Sequence, residues 1–214
     1  MNADSGYDTT SEYPYSAVGR IVTYASGAIG TGFLIGKNVF ATAAHCVSGP
    51  THCRNLWGMD ICFGNNSEDP DSLRGDFRTI YMSPSYWDGD NGDSDHDWAI
   101  CLLDDSYGQD VGYFSFVKQN AAYINANHHF LIDGYKNAAT YQTLSYADYS
   151  SMGTRRLYIT RCTEGGDSGA PIYDLTAGCV VGIIGGATPT ISYGTYFTDD
   201  MFYFARYLIG GNYL

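Results

Sequence analysis

Gly165-Gly166-Asp167-Ser168-Gly169-Ala170-Pro171 is the stretch whose reading decides the fold. Two glycines lead into a serine, and Gly-Ala-Pro leads away. Glycine reaches backbone conformations that other residues avoid, so this run can close a tight turn whose amide hydrogens converge on one spot. A serine beside converging N–H donors has the layout of an acyl-transfer site, where a tetrahedral oxyanion must be held. A serine hydroxyl is a weak nucleophile without a base. Upstream, Thr42-Ala43-Ala44-His45-Cys46 supplies a histidine after an apolar strand, and Asp97-Trp98-Ala99-Ile100 supplies a carboxylate at the mouth of another. The order along the chain is His, Asp, Ser.

Around these points the sequence reads as β-structure. In 214 residues there are 26 glycines and 20 tyrosines, a composition of turns and strands rather than helices. Alternating and continuous apolar runs bounded by Gly, Asn and Asp predict strands near 16–24, 31–36, 38–43, 59–63, 76–82 and 97–103. In the second half they predict strands near 128–134, 140–147, 155–160, 170–174, 179–185 and 193–198. One helix is expected, at the end. Thr198 suits its N-cap, Asp199 and Asp200 its first turn, and Gly210-Gly211 its stop. Met201, Phe204, Ala205 and Leu208 share a face, expected to pack on the second half.

The segments Thr42–Cys46, Asp97–Ile100 and Gly166–Pro171, in this order, resemble the chymotrypsin-like serine peptidases. The likeness extends to the bacterial glutamyl endopeptidase branch. It runs through Tyr13-Pro14-Tyr15, Gly32-Phe33-Leu34-Ile35-Gly36, Val111-Gly112-Tyr113-Phe114 and Gly134-Tyr135, and so covers nearly the whole chain. The resemblance implies an all-β fold of two six-stranded antiparallel Greek-key barrels with a C-terminal helix, which the six-and-six strand count fits. Residues 1–108 would carry His45 and Asp97, and residues 109–214 would carry Ser168.

The resemblance also implies roles. Ser168 would be the nucleophile, His45 its base, and Asp97 the carboxylate that orients His45. The N–H groups of Gly166 and Ser168 would form the oxyanion hole. Cys162, Thr163 and Glu164, with Ile184, Gly185 and Gly186 across from them, would line the primary specificity pocket. Thr163 matches a threonine with which the glutamyl branch binds a substrate carboxylate, but that branch has a histidine where this chain has Ile184. A glutamate side chain would lose a charge-assisted partner there, so an uncharged residue is expected before the scissile bond. Glu164 at the rim would instead attract a basic side chain. Asp167 departs from the Asn or Gln usual in that branch. The alternatives are a glutamate-specific endopeptidase and a non-catalytic binding protein or toxin on the same scaffold.

Composition bounds the partners. With 23 acidic against 11 basic residues the net charge is −12, which argues against nucleic acid and anionic membranes. Protein or peptide substrates, no cofactor and a monomer are expected. Residues 1–12 are polar and acidic, unlike a signal peptide, so a secreted enzyme whose signal and any propeptide are missing from this chain is the expectation. Six cysteines (46, 53, 62, 101, 162 and 179) suit an oxidising compartment. A local bridge among Cys46, Cys53 and Cys62 and another joining Cys162 to Cys179 are candidates, and 15 full pairings are open.

No Cys-x-x-Cys appears, so no zinc site is expected. The acidic run 88–95 is a candidate structural calcium loop, read first as a solvated loop because it lacks full EF-hand spacing. His52, His128 and His129 are read as solvent-facing or structural. His96, beside Asp97, is read as facing away from it along a strand. Arg20 before Ile21-Val22 is read as a strand residue rather than an activation site.

Overall fold

The computed structural model describes residues 13–23, 29–48, 58–63, 73–88, 94–118, 123–138 and 141–211. Among the described residues thirteen strands run β1 (Val18–Thr23), β2 (Ile29–Leu34), β3 (Val39–Thr42), β4 (Met59–Phe63), β5 (Leu73–Gly75), β6 (Phe77–Met82) and β7 (Ala99–Leu103) in the first half. In the second half follow β8 (His129–Gly134), β9 (Thr143–Met152), β10 (Arg156–Thr160), β11 (Pro171–Asp174), β12 (Cys179–Ala187) and β13 (Ile191–Tyr196). Helices are few: α1 (Ala44–Val47), α2 (Pro84–Asp88) and α3 (Asp199–Ile209).

Each half forms its own sheet. The second is a closed barrel in the order β10-β13-β12-β11-β8-β9, as expected. The first is a seven-stranded sheet, β5-β4-β1-β2-β3-β7-β6, where six strands were expected. The extra strand arises at Asp76. Leu73–Gly75 pairs with β4 on one edge, and Phe77–Met82 pairs with β7 on the other. The chain therefore passes between the two sheet edges at one residue. Asp104, just past β7, ties down that corner: the Asp76 N–H donates to Asp104 Oδ1 at 3.1 Å and the Asp104 N–H donates to Asp76 O at 3.1 Å. The sheet curls because its edges are joined there.

The two cores differ in chemistry. In the first, Phe40 makes edge-to-face contacts with Phe63 and Phe77 at 5.9 and 6.0 Å, an arrangement aromatic quadrupoles favour. The second is mostly branched aliphatic: Ile132, Ile159, Ile172, Val181 and Ile184 are fully buried about Phe130. Such residues fit the pleated inner face of a barrel.

The C-terminal helix corrects one expectation. Met201, Ala205 and Leu208 do form its buried face, but they join the core of the first sheet. Phe204 packs edge-on against Tyr81 and at a tilt against Trp98, at 5.3 and 6.4 Å between ring centres. The second barrel is closed and already filled, whereas the first sheet offers aromatic surface beside β6 and β7. The helix goes where apolar area remains to be covered. Arg155 and Lys118 hold its acidic first turn, meeting Asp200 at 3.0 Å and Asp199 at 2.7 Å.

Candidate active site

Three local structures meet at the seam between the sheets. β3 ends at Thr42, and after Ala43 the chain turns into α1, which places His45 at the surface with 39% of its side chain accessible. Asp97 lies between a 3-10 turn, Ser94–His96, and β7, and is 5% exposed. The Gly165–Gly169 turn follows β10 and leads into β11. Gly166 has φ +97° and Gly169 φ +88°, conformations costly for any residue with a Cβ. At Gly166 a Cβ would also stand 2.1 Å from the Tyr135 carbonyl oxygen.

Asp97 holds His45 twice. Oδ2 lies 2.7 Å from His45 Nδ1, and Oδ1 accepts the His45 backbone N–H at 3.0 Å. An ionised carboxylate only accepts, so Nδ1 carries a proton, and in the neutral ring Nε2 keeps its lone pair. The electrostatic influence of Cys46, helped by the hydrogen bond to Asp97, outweighs burial and holds the His45 pKa well above its ordinary value.

The serine turn is pinned across the seam. The Thr31 N–H of β2 donates to Ser168 O at 2.8 Å, and Thr31 Oγ1 donates to Gly166 O at 2.7 Å. Thr42 Oγ1 donates to Thr31 O at 2.6 Å. From the other side the Gly169 N–H donates to Ile184 O at 2.7 Å. Among the described residues neither the Gly166 nor the Ser168 N–H has an acceptor. A β-carbon on Gly185 would lie 3.5 Å from Asp97 Oδ2, so β12 passes directly beside this carboxylate. The structure thus brings the surroundings of His45, Asp97 and Ser168 together from both sheets.

The pocket candidates occupy distinct settings. Thr163 is buried, and its Oγ1 donates to Ser192 Oγ at 2.8 Å; Ser192 Oγ also accepts the N–H groups of Cys162 and Thr163. Burial pushes the Cys162 thiol up to about 11. Glu164 is exposed and pairs with Arg161 at 3.3 Å. Ile184 is fully buried in the second core, while Gly185 and Gly186 are half-buried. Asp167 is fully buried: Oδ2 accepts the Glu164 N–H at 3.0 Å, and Oδ1 has no partner among the described residues. Burial raises its pKa to about 7, against the pull of Lys136 and Arg161. Asp133 is likewise buried with neither oxygen partnered among the described residues, and burial together with Asp167 pushes its pKa well up.

Other expectations change. Cys46, Cys62, Cys101, Cys162 and Cys179 are all unbridged; Cys53 lies outside the described residues. Cys162 cannot reach Cys179. It is bonded to Ser192, which pairs with Ala187, eight residues along β12 from Cys179, or roughly 25 Å of extended strand. His128 is buried and meets Asp174 at 2.6 Å, a structural pair. His129 is exposed, 2.6 Å from Asp148, and His52 lies outside the described residues. His96 belongs to the 3-10 turn and not to a strand. Of the acidic run, Asp95 meets Arg156 at 2.6 Å, and residues 89–93 lie outside the described residues. Among the described residues no group of three or more metal-ligating side chains occurs, and no helix is long and apolar enough to cross a membrane. Arg20 lies within β1. Thr31, Thr42 and Ser192 carried no sequence signal, because their partners lie up to 135 residues away.

Comparison with known proteins gives the family. The trypsin family pattern matches residues 7–199. The chain belongs to the trypsin family. This trypsin-family chain is 28% identical over 172 residues to the glutamyl endopeptidase of Bacillus licheniformis, covering 77% of this chain and 51% of that protein. It is 26% identical over 208 residues to a Bacillus subtilis protein named extracellular metalloprotease, covering 91% and 64%. It spans between half and two thirds of these relatives. A solved Glu endopeptidase structure, in complex with MPD, superposes with TM-score 0.79 at 22% identity, covering 97% of this chain and 95% of that one. The chymotrypsin fold is thereby established for both halves.

Proposed function

We propose that the chain is a secreted serine endopeptidase acting through an acyl-enzyme. Ser168 Oγ attacks the peptide carbonyl carbon, its proton passes to His45 Nε2, and the carbonyl electron pair moves onto oxygen. The Gly166 and Ser168 N–H groups receive that oxyanion. Collapse breaks the C–N bond as His45 returns the proton to the leaving amine. Water then repeats the sequence on the acyl-Ser168 ester. Asp97 keeps the tautomer and stabilises the imidazolium. The carrying observation is the double hold of Asp97 on His45, through Nδ1 at 2.7 Å and the backbone N–H at 3.0 Å. The Gly166 and Ser168 N–H groups, without an acceptor among the described residues, support the same reading.

On this reading the labour divides between the halves: residues 1–108 supply base and orienting carboxylate, residues 109–214 the nucleophile and oxyanion donors. The substrates are proteins and peptides, and no cofactor enters the steps. The name of the Bacillus subtilis relative supports secretion. For specificity, Ile184 stands fully buried where a glutamate-binding histidine would be needed, and Thr163 is already bonded to Ser192. Both favour an uncharged side chain before the scissile bond.

The test is cleavage of a diverse peptide mixture by the chain and by Ser168→Ala, read by mass spectrometry. Cuts that vanish in the variant, with uncharged residues upstream, are expected. Cuts that persist would end the serine mechanism, and a strict glutamate preference would end the specificity reading. Cleavage by neither protein would favour a binding protein on the peptidase scaffold.

A further inference from the structure

Cys46 follows His45 in α1, and its thiol lies beside the imidazole. Its Sγ lies 3.7 Å from His45 Nε2 and donates to Ser168 O at 3.3 Å. The thiol is half-buried and unbridged. Opposite it stands Gly30, where a β-carbon would come within 2.7 Å of the sulfur, so the space around Sγ exists because position 30 has no side chain.

A thiolate sulfur and an imidazole nitrogen are the ligands zinc prefers. Bond lengths of about 2.3 Å to sulfur and about 2.05 Å to nitrogen, at a tetrahedral angle, put the two ligand atoms about 3.6 Å apart. The observed separation is 3.7 Å. Metal-bound histidines also donate their other ring N–H to a carboxylate, which fixes the tautomer and raises ligand basicity. Asp97 Oδ2, 2.7 Å from Nδ1, already occupies that place. Two ligand types, the correct bite and the outer carboxylate coincide at one imidazole.

We propose that His45 Nε2 and Cys46 Sγ form a chelating site for a thiophilic divalent cation of the zinc type, and that its occupation shuts off the enzyme. Binding replaces the thiol proton, which leaves to solvent, and changes no oxidation state. The metal takes the Nε2 lone pair that would otherwise accept the Ser168 proton. Water fills the remaining tetrahedral positions. The inhibition rests on the peptidase reading; the binding does not.

The experiment uses the reduced, chelator-free chain and two probes. Cadmium is titrated while the near-ultraviolet thiolate-to-metal absorption is followed, and zinc is titrated against peptide cleavage, each protein compared with its own metal-free rate. In the wild type and in Ser168→Ala the cadmium band should saturate. In Cys46→Ser that component should be missing, and the zinc needed for half-inhibition should rise about 10- to 100-fold, as much as losing even an outer partner of a metal ligand costs. Gly30→Ala, which crowds the sulfur while leaving both ligand side chains in place, should weaken the band. Equal cadmium bands or equal zinc sensitivity in wild type and Cys46→Ser would overturn the site, as would peptide mapping that finds Cys46 in a disulfide. A Cys46-dependent band in a chain that cuts nothing would support the site and count against the peptidase reading.

Discussion

The two halves share a strand-built plan but hide different things. The first sheet buries aromatic rings around Phe40 and, among the described residues, a single acid at its edge, Asp97, whose oxygens are both committed to His45. Among the described residues the second barrel buries three acids amid aliphatic side chains: Asp133, Asp167 and Asp174. Only Asp174 has a histidine against it, while Asp133 and one oxygen of Asp167 have no partner among the described residues. The lesson is a division of tasks. The first half holds its charge in fixed geometry for orientation, and the second stores carboxyls beneath the serine turn whose pKa burial raises, Asp167 to about 7 and Asp133 well up.

The sharpest way to break the comparison is at its fixed end. Asp97→Asn should leave the fold intact by circular dichroism but lower kcat about 10⁴-fold, since an amide cannot impose the correct tautomer on His45. A fall of less than tenfold would remove Asp97 from its role. Next in size come the cores. Phe40→Ala should cost about 3–5 kcal/mol in urea unfolding, because it empties the centre of the first aromatic cluster. His128→Ala should cost a similar amount, about 3–5 kcal/mol, by removing the buried partner of Asp174 Oδ2 and leaving only Oδ1 held, by the Thr176 and Ala177 N–H groups.

The stored carboxyls predict a pH dependence of definite sign. The Asp167 pKa rises from an ordinary 3.8 to about 7 on folding, mainly through burial, so between those values the folded chain binds the extra proton. Stability from this group is fully present below its unfolded pKa and is lost as pH rises through about 7. Asp133 acts with the same sign. The chain should therefore lose on the order of 2–4 kcal/mol between mildly acidic and mildly alkaline buffer. Asp167→Asn should flatten that slope in thermal melts run across the range; an unchanged slope would remove Asp167 as its source. The smallest effect belongs to the exposed pair. His129→Ala breaks a 2.6 Å contact with Asp148 whose side chains are 62% and 66% accessible. It should cost under about 1 kcal/mol, set against the much larger loss at His128 in the same barrel.

Most strands were legible because the signal is local. Apolar runs such as Ala99-Ile100-Cys101-Leu102-Leu103 carry their burial in their own composition. Leu73–Gly75 was missed because three residues, one of them charged, have no period to detect. Helix α3 was visible in its caps and apolar face, yet its partner was misjudged, since a helix face records that it will be buried and not by what. The candidate site was readable as three short motifs because glycine turns and a His-Asp-Ser order have few other uses in combination. The supports beneath it, Thr31 to Gly166 and Thr163 to Ser192, were not readable, since a threonine has the same local appearance wherever its hydroxyl ends up.

By itself, then, the sequence determined the β class, the order of the chemistry-bearing residues and the membership of the chain in its family. All of these rest on short windows where composition and spacing are enough. The tertiary structure alone decided that Gly30 opens space for the Cys46 thiol beside His45, that Cys162 and Cys179 stay apart, and that Asp167 lies close enough to Asp133 to raise its cost of ionisation. Each depends on which atoms of distant segments share a few ångströms of low-dielectric space. Chain closure sets those distances, and no local window contains them.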